Sequence, residues 1–224
     1  MWLYLFSSLI LLIGATLIYA KSPSQLDKPE IINALYSNYG ERAAKRGHAW
    51  FNVMEKSYNL MDSEKLENVN RFFNMLRFID DIKLWGDKNY WATPLEFIGV
   101  NGGDCEDFAI AKYFTLLELG IPDKKMRITM VKAVRLNQYH MVVAYYESPS
   151  SVPLILDNLD GLIKPASQRQ DLIPVYSFNG KQLWLNKEKG QGVVAGKSQR
   201  IKRWTNLNQR MGISKMRQPK LSME

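Results

Sequence analysis

The periodicity of the apolar residues changes at one place, Gly120-Ile121-Pro122. Before it, apolar side chains recur at helical three- and four-residue spacing. Ala44, Trp50, Val53, Met54 and Leu60 form one such series, and Leu66, Val69, Phe72, Phe73, Leu76 and Ile79 the next. After it, residues 127–134, 140–146 and 153–159 are short runs rich in Val, Ile, Met and Tyr, and 173–178 and 182–185 resemble them. These read as strands. Helices first and an antiparallel sheet second predict an α+β fold. A chain of 224 residues, 46% hydrophobic, is long enough for one such domain with a proper core.

Local punctuation sharpens the helical half. Asp62-Ser63-Glu64 is a helix start, and Trp85-Gly86-Asp87 a turn. Thr93-Pro94-Leu95-Glu96 has capping-box spacing with Pro at the first helical position, so a short helix follows. Gly102-Gly103 breaks the chain again. Asp104 then caps a helix that Gly120 and Pro122 stop. Cys105 therefore falls in the first turn of that helix.

Cys105 is the only cysteine, so no intramolecular disulfide forms. A buried inert thiol is one reading. A nucleophile is the other, because the free N–H groups and positive end of a helix N-terminus favour a thiolate. A nucleophilic thiol needs a base and a group to orient it. His48 and His140 are the only histidines. His48 follows Gly47 in a helical segment and reads as a surface or packing residue, whereas His140 opens a strand after the polar loop 135–138. If strands 140–146 and 153–159 pair so that Tyr146 meets Pro153, His140 lies opposite Leu159, two residues from Asp157. Directly opposite and diagonal pairs touch, so Asp157 is within reach of the imidazole. The competing reading is that Asp157-Asn158 begins a turn. The backbone N–H of Cys105 is a candidate oxyanion donor. Asn101, Trp85 and Trp91 are candidates for the second.

Asp104, Glu106 and Asp107 surround the thiol with carboxylates, which opposes thiolate formation by like-charge repulsion. A hard cation with oxygen ligands relieves that conflict, and calcium suits a flexible carboxylate cluster. The plainer alternative is that acids at a helix start complement its dipole. One cysteine and two distant histidines provide no zinc spacing.

The two ends differ from the middle. Residues 1–20 carry no charged side chain, and Lys21-Ser22-Pro23 ends the apolar run. This predicts a signal peptide or, if retained, an N-terminal membrane anchor, with the rest exported. The formal charge of +8 is concentrated near the C-terminus: residues 181–224 balance to +9 and leave −1 for the rest. Such a tail could contact anionic lipid, but it lacks the aromatic interleaving or base-reading motif of nucleic-acid binding, and we read it as solvated. The expected divisions are 1–20 leader, 21–186 catalytic domain and 187–224 basic tail.

The string Tyr90-Trp91-Ala92-Thr93-Pro94-Leu95-Glu96-Phe97, followed by Gly103-Asp104-Cys105-Glu106-Asp107-Phe108-Ala109-Ile110-Ala111-Lys112-Tyr113, resembles the bacterial transglutaminase-like cysteine proteinases of the LapG type. His140-Met141-Val142-Val143-Ala144-Tyr145-Tyr146, Leu156-Asp157-Asn158-Leu159 and 174–179 follow in the family's order. The resemblance spans about residues 50–185.

It implies a papain/transglutaminase-like fold in which Cys105, His140 and Asp157 serve as nucleophile, base and orienting acid. It implies calcium dependence, with Asp104, Glu106 and Asp107 as ligands. It further implies a periplasmic endopeptidase that cuts a large repeat-containing surface adhesin near its N-terminus, at a small-residue di-alanine site. Cutting releases the adhesin and disperses biofilm. The family's usual inhibitor is the periplasmic domain of an inner-membrane cyclic di-GMP receptor. A transglutaminase, with an amine in place of water as acceptor, and a non-catalytic calcium-binding module are the alternative functions.

Overall fold

The computed structural model describes residues 27–186 and 192–221. The expected leader lies outside them. Among the described residues, no helix is long and apolar enough to cross a membrane.

The helical half contains α1 (Lys28–Tyr39), α2 (Glu41–Ser57) and α3 (Asp62–Phe73). Then come β1 (Arg77–Phe78), α4 (Asp81–Leu84), α5 (Pro94–Val100), β2 (Gly102–Gly103) and α6 (Cys105–Glu118). Thr93 caps α5 as its capping box predicts, exchanging bonds with Glu96. β1 and β2 form a parallel two-residue ladder that sequence periodicity did not announce. It brings the chain so close that a Cβ on Gly102 would stand 2.2 Å from the Arg77 carbonyl oxygen. Gly102, at φ 157°, avoids that clash.

β3 (Met126–Ala133), β4 (Gln138–Tyr145), β5 (Leu154–Leu156), β6 (Lys164–Pro165), β7 (Leu172–Phe178), β8 (Gln182–Leu185) and β9 (Val193–Lys197) form one sheet. Its order is β6-β5-β4-β3-β7-β8-β9, with every adjacent pair antiparallel. The β4–β5 register pairs Tyr145 with Leu154 and Val143 with Leu156, the register expected from sequence. β5 is shorter than expected and ends before Asp157.

α6 packs across β4 and β3 and against α3 and α5. It is buried on most of its circumference, with Phe108, Ile110, Ala111, Tyr113 and Leu116 in the main core. Trp50 Nε1 donates to Thr115 Oγ1 at 2.9 Å and ties α2 to it. The sheet thus carries the Cys105 helix on one side. A smaller cluster, Val131, Val142, Ala144, Tyr146 and Ile155, forms a second core region.

Among the described residues, 192–221 do not form the solvated tail expected beyond residue 187. β9 extends the sheet, and α7 (Lys202–Arg210) buries Trp204 and Leu207. Trp204 stacks on Phe114 and meets Phe178 edge-on, with centroids at 5.5 and 5.1 Å. The following segment crosses back over the helical half. Lys220 N donates to Leu84 O at 2.7 Å, and Arg217 N to Glu96 Oε1 at 2.8 Å. The basic charge reads as solvation in sequence because two apolar anchors, Trp204 and Leu207, are diluted among polar residues. Those anchors lie three apart on one helical face.

Candidate active site

α6 begins at the break made by Gly102-Gly103, and its first residue is Cys105. Asp107 holds this corner together. Its Oδ1 accepts from Ala92 N at 2.7 Å and its Oδ2 from Asp104 N at 3.3 Å. A Cβ on Gly103 would stand 2.2 Å from that same Oδ2, so the second glycine leaves room for the buried carboxylate.

The Cys105 thiol is half-buried and donates to Glu106 Oε2 at 3.1 Å. Burial and the charges of Glu106 and Asp104 push its pKa up, while the Met141 backbone N–H pulls it down. Met141 follows His140 in β4. The backbone amide of the residue next to the candidate base thus favours the thiolate.

His140 Nε2 lies 2.7 Å from Asp157 Oδ1, both side chains being buried. The observed β4–β5 pairing, continued by one residue, sets Asp157 against Val142, two residues from His140. That is the diagonal pairing through which cross-strand side chains meet. Asp157 Oδ1 also accepts from Leu159 N at 2.9 Å, and its Oδ2 from Arg169 Nη2 at 2.7 Å. Burial alone would raise the Asp157 pKa, but the bonds from His140, Leu159 N–H and Arg169 hold it down at about 2. Asp157 is thus ionised. His48 is exposed on α2 and takes no part.

A cluster of acids surrounds the start of α6. One oxygen each from Asp81, Asp104 and Asp107 lie within 4.8 Å of one another, and ligand atoms of Asp104, Cys105 and Glu106 do the same. Asp104 belongs to both groups. Its Oδ1 and the Oδ1 of Asp81 are buried without a hydrogen-bond partner. Burial, then Glu106, raises the Asp81 pKa to about 7. Burial, Asp107 and Glu106 raise that of Asp104 to about 11. Asp107 is raised by burial and Asp81. Orphaned carboxylate oxygens this close together fit a hard divalent cation.

The family model for bacterial transglutaminase-like cysteine proteinases matches residues 36–191. The chain belongs to that family. Solved structures of Legionella pneumophila LapG are 41% identical over 84% of this chain and 98% of theirs, with a TM-score of 0.73. The EGTA-treated form gives 0.74 at the same identity. The calcium-bound form gives 0.72, with all of its chain covered. No curated protein sequence matches. The chain is therefore a cysteine peptidase of transglutaminase-like α+β fold.

Two residues of this proteinase's site escaped sequence reasoning. Asp81 opens the one-turn helix α4, far from the acidic run in sequence, and the β1–β2 ladder and the Tyr90 N–H bond to its Oδ2 (2.6 Å) help to hold it there. Asp80-Asp81 is an ordinary helix start, so nothing in sequence sets it apart. Arg169 stands just after the turn at 166–168 with no motif around it. Of the oxyanion candidates, Asn101 is the left-handed C-cap of α5 and Trp91 stacks on Phe178. Trp85 is fully buried, and its Nε1 has no acceptor.

Proposed function

We propose that this proteinase is a calcium-dependent periplasmic endopeptidase that cuts the N-terminal region of a large repeat-containing surface adhesin. The cut releases the adhesin and so controls biofilm attachment. The observation that carries the catalytic part is the buried contact of the ionised Asp157 with His140 Nε2 at 2.7 Å. The likeness to LapG, known in calcium-bound and EGTA-treated forms, supports calcium. Adhesin, periplasm and control by a cyclic di-GMP receptor's periplasmic domain rest on the family resemblance.

Cys105, His140 and Asp157 act as nucleophile, base and orienting acid. With its Nε2–H directed at Asp157, the imidazole keeps Nδ1 as the basic nitrogen. His140 takes the Cys105 proton, and the thiolate attacks the peptide carbonyl. Asp157 stabilises the imidazolium that forms. The Cys105 N–H, free at the first turn of α6, faces the developing oxyanion. His140 returns the proton to the leaving amine, and the thioester remains. Water, deprotonated by His140, then releases the acid product and restores the thiol.

Asp81, Asp104, Glu106 and Asp107 would hold calcium. Bound there, it supplies the positive charge that offsets carboxylates which otherwise oppose the thiolate. The test is cleavage of an adhesin N-terminal fragment with calcium and with EGTA. Cleavage beside small residues in calcium alone is expected. Full cleavage by protein shown to be metal-free would overturn the calcium assignment.

A further inference from the structure

We propose that Arg169 is a positioning residue for catalysis, fixing the Asp157 carboxylate in the orientation His140 needs. This rests on the triad reading above. Asp157 lies just past the end of β5, so no strand ladder holds it. A carboxylate rotates broadly about its last torsion. The bonds to His140 and Leu159 both fall on Oδ1, which leaves Oδ2 to be fixed. Arg169 Nη2 supplies that bond at 2.7 Å from a side chain 5% exposed.

Arg169 is itself held. Its Nε and Nη2 fork onto Asp171 Oδ1 and Oδ2 at 3.0 and 2.9 Å, and its backbone N bonds to Ala166 O at 3.0 Å. The fork uses the rigid planar geometry that a lysine lacks. Asp171 also settles the charge. A guanidinium alone would cancel Asp157 and weaken its hold on the imidazolium. With Asp171 ionised, the three groups together keep one negative charge for His140. The buried Lys112 of α6 also lies within electrostatic reach of Asp157.

A merely structural Arg169 would tie the exit of β5 to the entry of β7 and matter only for stability. Two measurements on the full chain with calcium separate the roles. One is the low-field proton resonance of His140 Nε2–H. The other is the rate at which iodoacetamide alkylates Cys105, the sole thiol. In Arg169→Ala the resonance should shift or vanish, and alkylation should fall about tenfold, as when an orienting partner is lost. Arg169→Lys, which keeps the charge without the fork, should fall between and serves if the alanine variant does not fold. Folded variants with a wild-type resonance and wild-type alkylation would overturn the proposal. If instead His140→Ala alkylates as fast as wild type, the triad reading itself has failed.

Discussion

His140 and Asp157 meet at 2.7 Å across the open end of a strand pair, beyond the last β4–β5 ladder bond. Their contact depends on the side chains and not on continued pairing. Asp157→Asn keeps the shape and removes the charge that fixes the imidazole tautomer. Its kcat should fall by roughly 10³–10⁴ with little change in KM. Steady-state cleavage kinetics check this.

Asp81→Asn removes one orphaned oxygen ligand from the acidic cluster. Calcium at about a hundred times its Kd should stabilise the wild type by roughly 2.7 kcal/mol. The variant should lose most of that gain, while its EGTA-treated melting temperature stays near or above that of the wild type. Calorimetry with calcium and with EGTA reads both. An unchanged calcium shift would remove Asp81 from the site.

Trp204→Ala tests whether the basic C-terminal region belongs to the core. The indole is buried between Phe114 and Phe178. Truncation should cost about 3–5 kcal/mol. A loss of about 0.5 kcal/mol or less in urea unfolding, the range of a surface site, would restore the solvated tail.

Lys112 is buried, and burial lowers its pKa from 10.5 to about 7, with Asp157 acting the other way. Between those values the unfolded chain binds more protons than the folded one. Stability at this group therefore rises with pH from about 7 to 10.5. Lys112→Met should flatten that rise and stabilise the protein at pH 7 by roughly 1–3 kcal/mol. Urea unfolding at two pH values measures it, and a destabilised variant would show that the ammonium is well compensated.

What was legible in sequence was local or governed by one register. Asp104 as cap, Cys105 at the first turn and the Thr93–Glu96 box are each written within four residues. The β4–β5 register followed from one hairpin, which put Asp157 beside His140 although β5 itself stops early. The residues that stayed hidden leave no local pattern in the sequence. Asp81 reaches the acidic cluster through a two-residue parallel ladder too short to leave a periodic trace. Arg169 reaches Asp157 from a turn with ordinary composition. Trp204 was masked by its basic neighbours.

The most direct test of the account is cleavage of an adhesin N-terminal fragment by wild type and Cys105→Ala, side by side in calcium. The account predicts cleavage by the wild type and none by the variant, with matching melting temperatures and calcium binding. Turnover by folded Cys105→Ala at the wild-type rate would contradict it.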